Sequence, residues 1–190
     1  SCEKSLDIIR NAKKRGLKVT CGVSIGHLYF TDDSLFSYDP SFKIYPPLRT
    51  KKDREALRNG LLDGTIDLVS SMHEPINIEH KKVEFSRALD GSIGIESIFG
   101  ILNSIFTLEK TISFLTNGKD LFKINNPKLE IGEKANLTMF CPDTIYNLKE
   151  ENIFSKSKNC AFINSSLKGK VFGIINGDRI VINNEWNFKL

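Results

Sequence analysis

The hydrophobic positions in the first third of the chain switch twice from a helical to a strand-like period. Residues 2–15 place apolar side chains at helical spacing between charged ones, and Gly16 follows where a helix would end. A short β-branched run at 17–23 comes next. The same order recurs as a helix at 50–62 and an apolar run at 65–70. Strands that alternate with helices in this way predict an α/β fold with parallel strands and right-handed crossovers.

The pattern after residue 75 predicts one loop and two more helices. The polar run 79–82 is typical of a loop on the protein surface. The apolar stretch 91–106 predicts a helix that packs on the outside of the sheet, and 107–116 predicts a second helix. Polar residues and glycines interrupt the first of these stretches, so it does not predict a membrane span.

From residue 119 onward the pattern changes to short apolar runs separated by turn signals. The three clearest runs are 137–140, 161–163 and 171–175. Asn176 and Gly177 stand between two β-branched runs and predict a hairpin, because both residue types tolerate the positive φ angles of a tight turn. We therefore predict two domains, an α/β unit at residues 1–118 and a small β-rich unit at residues 119–190.

Composition and charge indicate an ordinary globular protein. Of the 190 residues, 40% are hydrophobic and 26% are charged, which argues against disorder. A net charge of +4 without an aromatic-lined basic groove does not indicate nucleic-acid binding. Reduced thiols are expected, because the four cysteines form no Cys-x-x-Cys pair. No signal peptide is recognisable, so we expect a cytoplasmic protein without a membrane anchor.

The stretch from Asp63 to Ile76 is the most informative part of the chain. It contains a turn, a buried strand and a polar loop, and reads Asp-Gly-Thr-Ile-Asp-Leu-Val-Ser-Ser-Met-His-Glu-Pro-Ile. In parallel α/β folds, ligands bind at the C-terminal end of such strands. The stretch resembles the last barrel strand of the dihydroorotases, zinc amidohydrolases whose signature there is Asp-Gly-Thr-Ile-Asp, two or three small residues, and Thr-Asp-His-Ala-Pro-His.

Other segments resemble the same family in the same order along the chain. Residues 24–28 are similar to Thr-Pro-His-His-Leu, with Gly26 in place of one His. Residues 43–49 are similar to Lys-x-Asn-Pro-Pro-Leu-Arg, with Tyr45 in place of Asn. Four more segments agree with the family's closing part, namely 91–96, 133–138, 155–159 and 167–173. The resemblance covers nearly all of this chain and the C-terminal half of the family.

This resemblance implies the C-terminal part of a (β/α)8 TIM barrel, followed by a small β-rich satellite domain that the family builds from both chain ends. In the family, two zinc ions hold the hydroxide that attacks dihydroorotate, and the Asp of the last strand binds metal and transfers a proton. That Asp falls on Met72, whose thioether carries no proton and is a poor ligand for such a site. The candidate pocket residues are Tyr45, Arg49, His73, Ile76, Asp90 and Gly91, and Ile76 takes the place of a substrate-contacting His.

Several of these candidates also have a structural interpretation. Arg49 suits the carboxylate of a substrate or, equally, an ion pair with Asp53. His73 stands at the end of a strand, but no second ligand lies at metal-binding spacing from it. Tyr45 and Met72 together are expected to fill the pocket with less polar groups. The isolated histidines, His27 and His80, are interpreted as structural residues.

Two functional hypotheses follow from the resemblance. The first is an inactive dihydroorotase homologue that serves as a scaffold in pyrimidine biosynthesis, with aspartate carbamoyltransferase as a partner. The second is an active zinc hydrolase of cyclic amides whose metal ligands lie in an N-terminal portion outside this sequence. The loss of polar groups at Tyr45, Met72 and Ile76 favours the first. In either case we expect no zinc in this chain alone, and another chain or a missing N-terminal barrel half against its open strands.

Overall fold

The computed structural model describes residues 1–124 and 129–182. The elements are, in chain order, α1 (Glu3–Lys14), β1 (Gly22–Ser24), α2 (Ile25–Tyr29), α3 (Lys51–Leu62), β2 (Leu68–Ser70), α4 (Ile98–Ile105), α5 (Leu108–Thr116), α6 (Gly118–Leu121), β3 (Asn136–Asn147), β4 (Ser166–Asn176) and β5 (Arg179–Ile182). Short 3-10 helices lie at Asp32–Ser37, Pro40–Phe42, Ile78–His80 and Glu150–Asn152.

Two short parallel strands form the centre of the N-terminal part. Strands β1 and β2 pair with Gly22 opposite Leu68 and Ser24 opposite Ser70, which confirms the parallel order. Each strand is three residues long and therefore shorter than the predicted runs at 17–23 and 65–70. The strand pairing begins only at Gly22 and Leu68. Just before it, the backbone N–H of Cys21 donates to a side-chain atom, Asp67 Oδ2, at 2.9 Å, and not to a backbone carbonyl of the other strand.

Helices α1 and α3 pack beside each other and are joined through Asp53. Thr50 caps α3 as predicted, since its hydroxyl accepts the backbone N–H of Asp53 at 3.2 Å. Asp53 Oδ1 in turn accepts the backbone N–H of Glu3, the first residue of α1, at 2.9 Å. Among the residues that the structure describes, Arg49 forms no ion pair, so the expected pair with Asp53 is absent. The carboxylate instead caps and connects the two helices.

One hydrophobic core joins the barrel-like part to the C-terminal segment. Ile25 after β1, Ile101 in α4 and Phe162 from the C-terminal segment are all fully buried in it. Residues 161–163 form a turn, so the strand-like run predicted there is wrong. The turn inserts Phe162 into the core, which explains why this stretch is apolar. The division of the chain into domains at residue 118 stays a prediction.

The C-terminal sheet is antiparallel, with strand order β3–β4–β5. The Asn176–Gly177 hairpin is confirmed, because Asn176 pairs with Arg179 across the turn and Gly177 has a φ of 63°. The predicted runs at 137–140 and 171–175 fall within β3 and β4. Residues 183–190 of the predicted β-rich unit lie outside the described residues.

Two further predictions need correction. Helix α5 follows the prediction for 107–116, but the helix expected at 91–106 begins only at Ile98. The backbone before it is not helical because its hydrogen-bonding groups are used elsewhere: the Ser92 carbonyl oxygen accepts the Glu74 N–H at 2.9 Å, and the Ile93 N–H donates to the Asn159 carbonyl oxygen at 3.0 Å. In the expected surface loop 79–82, Lys81 is buried with 5% exposure.

Within the described residues, no helix has the length and apolar character needed to cross a membrane.

Candidate functional site

The candidate site lies at the C-terminal ends of β1 and β2. Gly26 comes two residues after β1, and Met72 comes two residues after β2. Because the two strands are parallel and in register, the segments that follow them leave the sheet at the same edge. The structure therefore brings residues 26 and 72 together, as expected for a site at this edge of a barrel.

Met72 turns its side chain back into the protein. Its φ of 53° lies in the left-handed region, which a non-glycine residue adopts only when its surroundings hold it there. Its N–H donates to the Ser70 hydroxyl at 3.1 Å. The side chain is only 7% exposed and forms a small hydrophobic cluster with Ile44 and Leu48. Met72, which follows strand β2, therefore contributes to hydrophobic packing.

Gly26 provides the space for that packing. A Cβ built on residue 26 would lie 2.8 Å from Met72 Cε and 3.3 Å from Ile44 Cδ1. The first distance is shorter than any ordinary contact between carbon atoms. No side chain is therefore compatible with residue 26 while Met72 keeps its position, and the two residues form a matched pair.

His27 lies next to Gly26 and is held by both ring nitrogens. Its Nδ1 lies 2.6 Å from the Ser24 hydroxyl, and its Nε2 lies 2.9 Å from the Pro46 carbonyl oxygen. A carbonyl only accepts, so Nε2 donates and Nδ1 accepts the hydroxyl proton. Burial lowers the pKa of His27, which favours the neutral ring. This agrees with a structural histidine, since neither nitrogen is left for a metal.

The loop after Met72 is held to the loop at residue 91 by backbone contacts. The Glu74 N–H donates to the Ser92 carbonyl oxygen at 2.9 Å. Gly91 has a φ of 131°, and the Glu74 side chain covers it so closely that a Cβ on Gly91 would lie 3.0 Å from Glu74 Oε2. His73 is half-buried, and its Nδ1 accepts the Ile95 N–H across a long 3.5 Å. Residue 91 is therefore a glycine because of its positive φ angle and because the Glu74 side chain lies so close to it.

Asn159, which sequence reasoning missed, joins these two loops from the C-terminal segment. Its Oδ1 accepts the Ile76 N–H at 3.1 Å and the Ser157 hydroxyl. Its Nδ2 donates to the carbonyl oxygens of Glu74 at 2.9 Å and Gly91 at 3.3 Å. One buried amide thus uses four hydrogen-bonding positions. Its position at the end of the family-like segment 155–159 was the one signal available in the sequence. Its backbone partners Ile76, Glu74 and Gly91, however, are 68 to 85 residues away in sequence.

Known proteins similar to this chain in sequence include dihydroorotases. The dihydroorotase of Geobacter metallireducens is 35% identical over 187 residues, and that of Bacillus cytotoxicus is 37% identical over 188 residues. Each match covers 95% of this chain and 44% of the relative. The chain is a dihydroorotase homologue. It spans less than half the length of the relatives it matches, and no family model matches it.

Solved structures show the same fold at lower sequence identity. L-hydantoinase from Arthrobacter aurescens superposes with a TM-score of 0.82 at 22% identity, covering 96% of this chain and 43% of that protein. An inactive dihydroorotase-like domain of a Chaetomium thermophilum CAD-like multifunctional protein superposes with a TM-score of 0.66 at 20% identity, covering 95% and 48%. These matches fall on the C-terminal part of amidohydrolase TIM barrels, which confirms the fold class.

Not every pocket position of this dihydroorotase homologue takes part in the packing. Tyr45 is 73% exposed, so it does not fill the pocket together with Met72, contrary to expectation. The polypeptide on both sides of Tyr45 carries the buried residues Ile44 and Leu48, which leaves its own side chain pointing outward. Arg49 and Asp90 are also exposed. The apolar cluster therefore centres on Met72 and Ile44.

The described residues of this dihydroorotase homologue do not fit a zinc site. Within residues 1–124 and 129–182, no group of three or more His, Cys, Asp or Glu side chains converges. His27 uses both ring nitrogens, and the two positions that match a His and an Asp in the family carry Gly26 and Met72. A glycine offers no side-chain ligand, and a thioether is a poor one for zinc with a bound hydroxide.

Proposed function

We propose that the protein containing this chain is a catalytically inactive dihydroorotase homologue that acts as a scaffold in pyrimidine biosynthesis. The observation that carries the proposal is the contact between Met72 and Gly26. Hydrolysis of a cyclic amide needs a nucleophilic water and a group that moves a proton to the leaving nitrogen. Met72 has no titratable group, and its buried side chain takes up space at the strand end where such chemistry would occur.

A second line of support is the chemical character of the replacements. An enzyme that had changed its substrate would be expected to carry other polar groups at these positions, because a bound ligand needs hydrogen-bond partners. Here the apolar contact between Gly26 and Met72 stands where the family resemblance places a His and an Asp, and Ile76 has no polar side-chain atom. The inactive dihydroorotase-like domain among the similar folds shows that an inactive member of this fold has a precedent.

We further propose that the missing barrel half covers the open edges of β1 and β2. A two-stranded sheet with three residues in each strand is marginal on its own. A groove of about 440 Å³ runs along β2, and its lining includes Leu68 of β2, Phe114 of α5 and Phe122, which follows α6. Phe122 is 65% exposed, which is the kind of surface that a further barrel element would bury.

The proposed scaffold role needs a protein partner, and the family resemblance makes aspartate carbamoyltransferase the first candidate. The test is a pull-down of purified aspartate carbamoyltransferase from the same organism by the full-length protein. A complex of defined stoichiometry in size-exclusion chromatography with light scattering is the expected result. Separate elution of both proteins at micromolar concentration would contradict this choice of partner, while leaving the catalytic proposal untouched.

The alternative is an active zinc hydrolase of cyclic amides. The observation in its favour is the coverage of the relatives, because more than half of each dihydroorotase lies outside the matched part. Metal ligands supplied from there would restore part of a zinc site. They would not restore a proton-transferring group at position 72.

The deciding experiment measures metal content and turnover of the full-length protein. After dialysis, zinc is quantified by plasma mass spectrometry, and dihydroorotate hydrolysis is followed with saturating zinc. The dihydroorotase of Bacillus cytotoxicus serves as the positive control under the same conditions. We expect no turnover above the uncatalysed rate. Turnover close to that of the control enzyme would refute the inactive assignment and support the alternative.

A further inference from the structure

A second cleft opens beside the loop that follows Met72. It has a volume of about 840 Å³ and is lined by residues 39–41, 75–78, 81–83, 150 and 156–159. Of the candidate pocket residues, only Ile76 lines it. The cleft is therefore separate from the Met72 cluster, and its size is within the range of small-molecule sites.

The walls of this cleft carry more positive than negative charge. Four lysines line it, which are Lys81, Lys82, Lys156 and Lys158, against the carboxylates of Asp39 and Glu150. Asp39 is already engaged, since its Oδ1 accepts the Ser41 N–H at 2.8 Å. Lys82 and Lys156 are exposed and form no ion pair with any residue that the structure describes. The cleft thus presents amines that lack counter-ions.

Lys81 gives the strongest indication of a missing anion. The residue is 5% exposed, and its Nζ donates to the carbonyl oxygens of Pro40 at 2.8 Å and Lys43 at 3.1 Å. An ammonium group has three N–H donors, so one of them has no partner within the described residues. Lysine is almost never buried unless it is paired, because removing the charge from water is costly. No described carboxylate lies at ion-pair distance from Lys81.

We propose that this cleft binds a small organic phosphate. Two excess positive charges match a phosphate monoester, which is a dianion at neutral pH. Lysine amines bind phosphate as point charges, whereas carboxylates are more often gripped by the forked guanidinium of arginine, and no arginine lines the cleft. Apolar surface from Pro75, Ile78 and Val83 provides a wall for the organic part of the ligand. The site does not depend on zinc or on hydrolysis.

The test is calorimetric titration of the full-length protein with phenyl phosphate at constant ionic strength. Inorganic phosphate and sodium chloride are titrated in parallel. We expect phenyl phosphate to bind more tightly than inorganic phosphate, because only the former contacts the apolar wall. Heats equal to those of sodium chloride would overturn the proposal. Equal affinity for the two phosphates would overturn the assignment to an organic phosphate.

Variants decide whether Lys81 holds the ligand. Lys81→Met should weaken phenyl phosphate binding about tenfold, since it removes a charged hydrogen bond. The matched control is Lys4→Gln, which removes an exposed lysine of α1 that does not line the cleft and should leave affinity unchanged. Equal affinities for the two variants would overturn the proposal. Should Lys81→Met fail to fold, the exposed double variant Lys82→Gln/Lys156→Gln takes its place, with a loss of about tenfold expected.

Discussion

The terminal methyl carbon of Met72 lies 2.8 Å from the point where a side chain on residue 26 would begin. Gly26 is thus the one residue type that accommodates Met72 in its observed position. The family resemblance places a His and an Asp, both polar, at these two positions. In this chain residues 26 and 72 are physically linked, because the Met72 side chain occupies the space beside Gly26.

The first prediction concerns this linkage. Gly26→Ala should destabilise the protein by about 1 kcal/mol, because the flexible end of the buried Met72 side chain must move away from the new Cβ. In a Met72→Ala background most of this cost should disappear, since the effects of residues in contact are not additive. Urea unfolding of the wild type, both single variants and the double variant measures the coupling.

Gly118→Ala is the matched control for that cycle. Gly118 is also helical, and a Cβ there would meet Leu68 Cδ2 at an ordinary 3.4 Å. Its effect on the free energy of unfolding should be the same with Met72 as with Ala at position 72. Strict additivity of Gly26→Ala and Met72→Ala would show that the two residues are not a packing pair.

The second prediction concerns restoration of dihydroorotase activity. Met72→Asp alone should leave the full-length protein inactive, although a general acid or base typically contributes about 10²- to 10⁴-fold. Activity should need Tyr45→Asn and Ile76→His as well, and the Gly26 contact adds Gly26→His to the set. The measurement is dihydroorotate turnover of each variant at saturating zinc. The control variant carries Ile78→His, at a nearby exposed isoleucine, in place of Ile76→His. Its turnover of dihydroorotate should show no gain.

The third prediction concerns Asn159. Asn159→Ala removes the partners of Ile76, Glu74 and Gly91, and each buried group left unpaired is worth about 1–3 kcal/mol. We expect a total loss of about 3 kcal/mol or more in unfolding free energy, with faster hydrogen exchange at the Ile76 amide. Asn152→Ala is the control, because that side chain accepts a single bond, from the Lys149 N–H, near the surface. Equal losses in the two variants would contradict the connecting role of Asn159.

The fourth prediction is a loss of stability in acid that depends on His27. Burial lowers the pKa of His27 in the folded protein, so the unfolded chain takes up a proton at higher pH than the folded one does. The contribution of His27 is therefore present above about pH 6.5 and is lost as the pH falls through its lowered pKa. His27→Gln should flatten the fall in unfolding free energy between pH 7.5 and pH 5, by up to about 1.4 kcal/mol per pH unit. A His27→Gln variant that keeps the wild-type slope would contradict this role of His27.

The fifth prediction concerns the exposed strand edges. The isolated chain should bind an environment-sensitive apolar dye and self-associate. Within residues 1–124 and 129–182, β1 and β2 pair only with each other, and Phe122 is exposed. Adding the N-terminal part of the full-length protein should abolish both effects. A dilute, monomeric chain that melts cooperatively without dye binding would show that the edges need no cover.

The sequence by itself determined the order of elements and the family. Helical spacing, the Thr50 cap and the Asn176–Gly177 turn are local features, because each rests on backbone preferences within a few residues. The motif of residues 63–76 also places Met72 at the end of a strand. The local sequence pattern gave a wrong prediction where contacts with residues distant in sequence determined the structure. The helix expected from residue 91 begins only at Ile98, because the backbone of Ser92 and Ile93 bonds to Glu74 and Asn159 instead. Lys81, in the polar run 79–82, is buried against carbonyl groups about 40 residues away in sequence.

Only the tertiary structure decided what surrounds each candidate residue. Gly26 and Met72 are 46 positions apart, and their contact follows from two parallel strands that end at one edge. Tyr45 and Met72 looked equivalent as lost polar groups, yet one is exposed and the other is buried, because the chain on both sides of Tyr45 turns Ile44 and Leu48 inward. The role of Asn159 was equally invisible, since an asparagine in a polar segment has no pattern that names its partners. Burial and hydrogen bonding are properties of the assembled fold, and a linear sequence specifies them only through that fold.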